Sequence, residues 1–405
     1  GGKPMRPVTQ QLIKNSNMKR LYASVYNHPG ISRAALAKRT RLSKTTVSTL
    51  IDELIEREFL IDSGVSETES VGRRPNTLYV RSGRYYVAVL HWMEDTVQLY
   101  LIDLAGVSVC QFSEKVTGTD TYLTVSRKCF YDSLLSRYDS RQILGICVVV
   151  SAMIDAAREE IYSTTLSLPA LGEEKIFPLL PAAFPEYPVA FLEDTACFAY
   201  AEKVYTSLKE NNFAFINFNR GIGATLFIEG NMLGKASGSF TQFGHYSVDP
   251  EGPLCVCGNH GCLEALISEH NIGRRAAAFG ESPFLTPPDR VTFADLGRAA
   301  LYRDPTAMKL LAQMARELAL ALGNLICIVN PSLIILGGKI PALGDYFLEQ
   351  VRKDLKSIGF RKMVDNVTVR YSTLHSDSFL SGAMRYYFDI HYSFTQENPS
   401  GFYVG

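Results

Sequence analysis

Between residues 253 and 265 the chain reads PLCVCGNHGCLEA, with three cysteines and a histidine inside eight positions, although the whole protein has only 8 Cys and 7 His in 405 residues. Thiols and an imidazole this close together share a metal ion, form a bridge, or sit reduced side by side. A disulfide scaffold belongs to short secreted chains, and the opening GGKPMRPVTQQLIKN has no apolar signal-peptide core. A reducing cytoplasm is therefore expected, where a tight cysteine cluster is more often a metal site. The other cysteines, at 110, 129, 147, 197 and 327, stand singly in apolar surroundings and read as small core residues.

At this length two or three domains are expected. No run approaches 18 consecutive apolar residues, so no membrane segment is expected. The formal net charge is zero, yet it is unevenly distributed. Residues 1–80 hold 13 Lys and Arg against 7 Asp and Glu, a charge of +6, and the remaining 28 basic and 34 acidic residues give −6. A basic head on an acidic body points to a head that meets a polyanion.

The pattern within the head gives that charge a use. QQLIKNSNMKRLYASVYNH places Leu12, Met18, Leu21 and Val25 at helical spacing before the Pro29-Gly30 stop. Ser32 is a candidate cap for a second helix with Ala35 and Leu36 turned inward, and Ser43 for a third, KTTVSTLIDELIERE. In the third, Val47, Leu50, Ile51 and Leu54 share one face, whereas Lys44, Thr45, Thr46, Ser48 and Thr49 lie on the other. Hydroxyls and methyls can meet base edges in a major groove while Lys44 meets phosphate. Two strand-like runs, FLIDS and TLYV, flank a polar stretch whose Arg73 and Arg74 can reach a minor groove or flanking phosphates. The outline is a winged helix-turn-helix.

Beyond residue 82 the texture becomes α/β. YYVAVLHW, VQLYLIDLAG, ILGICVVVSAMID and YPVAFLED read as strands, and NFAFINFNRGIGATLFIEGNMLG as two strands around a glycine turn. Residues 306–328 form one long apolar-striped helix leading into VNPSLIILGGKI, a strand ending in a Gly-Gly turn. Two α/β lobes fit this order, with ligands expected at the carboxyl ends of strands.

Over residues 12–393 the chain resembles the ROK family (repressors, open reading frames and sugar kinases), in its repressor branch. The run Cys255-x-Cys257-Gly258-x-x-Gly261-Cys262-x-Glu264 matches the family's zinc signature, FGH ending in His245 matches the end of its Glu-x-Gly-His motif, and NPSLIILGG and SGAM match its nucleotide-side turns. The head, ISRAALAKRTRLSKTTVSTLIDELIEREFLI followed by GRRP, is similar to the family's DNA-binding head and linker. The resemblance implies an N-terminal winged helix-turn-helix followed by a two-lobed, actin-like or hexokinase-like (ribonuclease H-like) body. The expected division is a head at 10–80, a first lobe at 83–200 plus 380–393, and a second lobe with the metal segment at 201–379.

Zinc chemistry agrees with the resemblance. Cys255, Cys257 and Cys262 supply three thiolates suited to a tetrahedral d¹⁰ ion, and Gly258 and Gly261 let the loop curl around it. His245 or His260 can complete the shell. His260 sits between two ligating cysteines, where a chelate ring is cramped; His245 arrives from a separate segment and is also the family's ligand. One structural zinc per chain, held by His245, Cys255, Cys257 and Cys262, is expected. In the family the same segment presents sugar-binding residues. The counterparts here are Gln242, His245 and Glu264, together with Glu193 and Asp194, but Gln242 replaces a Glu and Glu193 replaces an Asn. An amide accepts one bond and donates one where a carboxylate accepts two, so recognition of a sugar must change.

Asp194 stands where the family has its catalytic base. The family's first phosphate loop, Asp-x-Gly-Gly-Thr, is replaced by VLHWMED, whose Trp92 is expected to obstruct a phosphate, and NRGIGAT is a weak second loop. Asp194 is then a vestigial base, and kinase activity is not expected. The reading is a sugar-responsive transcriptional regulator, a repressor, that binds double-stranded operator DNA as a homodimer or tetramer in the cytoplasm, with no membrane partner. Two alternatives stay open: a sugar kinase fused to a DNA-binding head, and a DNA-binding protein whose cleft is empty.

Overall fold

Three hydroxyl side chains start the three helices of the head. In the computed structural model, which describes residues 9–63, 77–163, 165–172, 175–206, 208–233, 241–279, 282–283, 285, 290–395 and 401–404, the helices are α1 (Gln10–Asn27), α2 (Arg33–Thr40) and α3 (Lys44–Glu56). Thr9, Ser32 and Ser43 each accept an N–H of the first turn, from Leu12 (3.3 Å), Ala35 (3.3 Å) and Thr46 (3.0 Å), which satisfies donors that a helix start leaves open. The first helix ends at Asn27, where the His28 N–H bonds back to Ser24 O and Val25 O, Gly30 follows at φ +83°, and Arg41 at φ 57° makes the left-handed turn between the second and third. Met18, Leu21, Tyr22, Val25, Leu36, Val47, Ile51 and Leu54 close the core, each large apolar side chain contributing about 1.5–3 kcal/mol by its burial.

Two expected core positions face water. Leu12 is 49% exposed, and Ala35 is exposed because the inward stripe of α2 is Leu36, Ala37 and Thr40, one step further round the helix. Strands β1 (Leu60–Ser63) and β2 (Thr77–Val80) pair antiparallel, and Ile31 bridges to Leu78. Arg73 and Arg74 lie outside the described residues.

The body divides by packing into two units. The first comprises residues 1–149, 167–191 and 383–403, and so includes the head; the second comprises 150–166, 192–382 and 404–405. Packing thus draws its boundaries differently from the expected lobes, because residues 150–166 and 192–200 belong with the second unit. The first unit is built on a six-stranded sheet in the order Phe402–Val404, Val189–Glu193, Ile143–Val150, Tyr86–Met93, Thr96–Asp103, Ser108–Lys115. Its last three strands form an antiparallel meander. Ile143–Val150 is buried almost throughout, as suits a central strand covered on both faces, whereas the edge strand Ser108–Lys115 alternates toward solvent.

Trp92 lies inside this unit, at 1% exposure. Its ring stacks on Tyr122 with centroids 5.1 Å apart, and its Nε1–H donates to Ser126 Oγ at 2.9 Å. It is a core residue and does not stand in the way of a ligand, contrary to expectation, because an indole gains most by burial with its N–H paired.

The second unit carries a five-stranded sheet in the order Asn231–Met232, Ile222–Ile228, Phe213–Phe218, Leu333–Gly338, Thr368–Tyr371. The first two joints are antiparallel and the last two parallel. The helix Pro305–Val329 is the one described helix long and apolar enough to cross a membrane. Here it turns Leu310, Met314, Leu318 and Leu322 into the core of this unit, against Ile216, Ile334 and Leu336. Of the five scattered cysteines, 129, 147 and 197 are buried and Cys110 is partly so, but Cys327 is exposed on the outer face of that helix.

Candidate functional site

The cysteine loop folds back on itself. Cys255 N–H donates to Asn259 O (2.7 Å), Gly258 N–H to Cys255 O (2.9 Å), and Gly258 takes φ +87°. Gly261 at φ +60° passes so close to Asp249 that a Cβ would lie 1.5 Å from its carbonyl oxygen; no other residue fits. His245 ends a short 3₁₀ turn, Phe243–His245, that brings its ring to the loop. The candidate ligand atoms of His245, Cys255, Cys257 and Cys262 all lie within 4.8 Å of one another, with His245 Nδ1 3.5 Å from Cys255 Sγ and Cys257 Sγ 3.6 Å from Cys262 Sγ. A tetrahedral ion with metal–sulfur bonds near 2.3 Å spaces its sulfurs about 3.8 Å apart, so the group is dimensioned for one metal ion. His260 turns away, its Nδ1 3.1 Å from Gly252 O.

The expected sugar-binding residues all fall in the second unit, but in different surroundings. Glu193 closes the strand Val189–Glu193, is 7% exposed, and accepts the Ile154 N–H at 3.0 Å. Burial pushes its carboxyl up to about 8, against the Ile154 hydrogen bond and with help from Asp194. Asp194 opens the helix Asp194–Tyr205, and burial raises it to about 6, while the hydrogen bond from Thr195 Oγ1 (3.1 Å) opposes the rise. Asn217 Nδ2 donates to that same Thr195 oxygen at 3.2 Å. At its other end the helix is anchored by the fully buried Glu202, paired with Arg370 at 3.2 Å.

Glu264 accepts the Ile222 N–H at 2.7 Å and lies against Gly221, where a Cβ would come within 2.5 Å of Oε2. It therefore braces the turn between Phe213–Phe218 and Ile222–Ile228, a role that its spacing from the cysteines did not announce. Glu264 also lines a groove of about 660 Å³ with Asn219, Arg220, Asn271 and Lys339. Glu193, Asp194, Gln242 and His245 are not among the residues lining it. A second hollow, about 140 Å³, sits at the Gly-Gly turn between Phe198, Phe215, Gly338 and His375, well short of the roughly 300–1,000 Å³ of an ordinary ligand pocket. In the first unit, Met93 pairs directly with Thr96, so the hairpin replacing the glycine turn is tipped by the exposed Glu94 and Asp95.

On the head, Lys44, Thr45 and Thr49 stand exposed along α3. Thr46 and Ser48 are half-buried and already engaged: Thr46 Oγ1 lies 2.8 Å from Ser43 Oγ, and Ser48 Oγ accepts from Arg33 at 3.2 Å. Arg33 also pairs with Asp52 (2.6 Å) and Asp62 (3.4 Å), tying α2, α3 and β1 together. That organising arginine escaped the sequence reading, because its partners lie 19 and 29 residues away.

A winged helix with an exposed Lys/Thr face, joined to a mixed α/β body with a His/Cys₃ clasp, defines a DNA-binding protein on a sugar-kinase-like frame. The ROK family model matches residues 111–388, and a winged helix-turn-helix DNA-binding model matches residues 14–61. The chain belongs to the ROK family. It is 25% identical to the xylose repressor of Bacillus spizizenii over 360 residues, covering 86% of this chain and 88% of that one. Among solved structures it resembles a ROK-family transcriptional regulator described as a homologue of the Escherichia coli Mlc protein, at TM-score 0.76 and 23% identity over 92% of this chain and 95% of that one. It also resembles a ROK-family glucokinase from Streptomyces griseus solved with glucose and AMPPNP, at TM-score 0.58 and 20% identity over 74% of this chain and 98% of that one.

Proposed function

We propose that this protein is a sugar-responsive transcriptional repressor that binds operator DNA as a dimer and does not phosphorylate its ligand. The observation that carries the reading is the winged helix fused to a kinase-like body. The exposed Lys44, Thr45 and Thr49 face of α3 suits a major groove, with Thr46 and Ser48 shaping it; Arg73 and Arg74, outside the described residues, are proposed from their charge to meet phosphate. The body takes a sugar near Glu193, Asp194, Gln242, His245 and Glu264. The names of its relatives make xylose the first sugar to try.

Phosphoryl transfer needs donors and cations around the phosphates. The carboxylates of Glu94 and Asp95 at the hairpin tip and the small hollow at the Gly-Gly turn argue against it. The clasp holds one zinc through His245, Cys255, Cys257 and Cys262; with four protein ligands the shell is closed, so the ion orders the loop. An empty cleft remains the second reading, favoured by Glu193, whose carboxylate is turned to the Ile154 N–H.

Selection of duplexes from a random library by the intact protein tests the central claim. An enriched inverted repeat is expected, and Thr45→Glu should abolish enrichment with the body still folded, since a carboxylate in the first turn of α3 favours the helix but repels phosphate. Elemental analysis should find one zinc per chain, lost in Cys257→Ser. Saturable thermal stabilisation by a sugar would dismiss the empty cleft, whereas ATP turnover with that sugar would restore the kinase.

A further inference from the structure

The head does not hang on a free tether. Within the first unit, α1 and α3 are docked on the segment that follows the helix Ser378–Tyr386. Phe394 N–H donates to Asn15 Oδ1 at 2.8 Å, Arg57 donates to Phe394 O at 2.6 Å, and Lys19 Nζ to Asp389 O at 2.9 Å. Between these bonds lies a cluster of rings: Tyr22 and Phe388 have centroids 4.9 Å apart, Phe59 and Phe394 5.0 Å, and Phe59 and Tyr85 4.5 Å. Apolar burial of this kind is adhesive but non-directional, so rings can slide over rings with little loss.

Inside the cluster a buried charged group adds direction to that of the three hydrogen bonds at its border. Arg385 is 2% exposed, its Nε–H donates to Asp389 at 2.9 Å, and its guanidinium carbon lies 4.0 Å from the ring centroid of Tyr26 on α1. Its Nη1 is buried with no hydrogen-bond partner among the described residues. A buried cation so incompletely satisfied adds little stability and can subtract from it. The bond to Asp389 lies within its own segment and holds the guanidinium in place, so that its stacking on the Tyr26 ring ties α1 to a fixed point on the body.

We infer that Arg385 is a positioning residue for DNA recognition: it fixes the angle at which the head leaves the body, and thereby the half-site spacing that two heads can read. The inference rests on the proposed DNA-binding dimer. In a two-headed reader, a fixed head angle makes affinity fall steeply when the half-sites are moved off register.

The test uses the inverted repeat enriched by the wild-type protein, a series of the same repeat with base pairs inserted at its centre, and a single half-site. For wild type, a two-base-pair insertion is expected to weaken binding by at least about 30-fold. Arg385→Met keeps the apolar bulk and loses the orientation. It should bind the single half-site as wild type does, bind the parent repeat about ten-fold more weakly, and lose less than about five-fold on insertion. Arg385→Lys, which keeps the charge over Tyr26, should recover part of the spacing preference. Tyr26→Leu should flatten the profile as Arg385→Met does, and stands in for it if that variant does not fold. A wild-type spacing profile in the variants, or no spacing preference in wild type, overturns the role of Arg385. Failure of wild type to enrich any duplex would overturn the DNA-binding reading itself.

Discussion

Glu193 shows how far a single residue can depart from its sequence context. By position it is a replacement for a ligand-binding Asn; in the fold its carboxylate is buried under the Ile154 N–H, with its carboxyl raised from 4.5 to about 8. A carboxyl raised in the folded state favours the protonated native form, so its contribution is fully present below the unfolded value and is lost as pH rises through about 8. Asp194, raised from 3.8 to about 6, acts in the same sense at lower pH. Stability should therefore decline from mildly acidic to mildly alkaline conditions. Glu193→Gln, neutral throughout, should be more stable than wild type by about 1–2 kcal/mol at pH 8, with the gap closing toward pH 5. Denaturant titrations at the two pH values measure it, and an equal difference at both would show that Glu193 is not the titrating group. The clasp was the most legible part of the site, because the ligand chemistry of Cys255, Cys257 and Cys262 is written in local spacing and only His245 had to come from elsewhere. The bracing role of Glu264 and the burial of Trp92 were not legible, since both depend on what a separate segment of chain packs against.

At the scale of elements, the strongly periodic and well-capped segments were readable and the polar edges were not. The helix starts at Ser32 and Ser43 and the long helix before the Gly-Gly strand stand where their patterns put them. The edge strand Ser108–Lys115, with Gln111, Ser113 and Lys115 turned outward, and the four-residue Thr368–Tyr371 offer too little apolar signal to be singled out. The cap of α3 matters doubly, because Ser43 both takes the Thr46 N–H and lies 2.8 Å from its hydroxyl. Ser43→Ala should cost about 1 kcal/mol in the local stability of α3. Faster hydrogen exchange of the first-turn amides, with the sheets of the body unchanged, is the expected readout; unchanged exchange would mean that tertiary packing alone holds that turn.

For the molecule as a whole, the order of head and body was visible in the charge asymmetry and in the switch from helical to alternating patterns near residue 82. The docking of the one on the other was not, because it joins residues about as far apart in sequence as the chain allows: Asn15 with Phe394 and Lys19 with Asp389. A chain cut after Met384 should keep its helix-turn-helix secondary structure, yet its head should be cleaved from the body by low protease under conditions that leave the full chain intact. Resistance of the cut chain would place the attachment elsewhere. The seat of the first helix is thus made 370 residues after the lysine that it holds. While the chain is still growing, the basic head is synthesised and able to fold, but it has nothing to lean on. A product stopped before residues 389–394 would carry a head with no fixed place on its body.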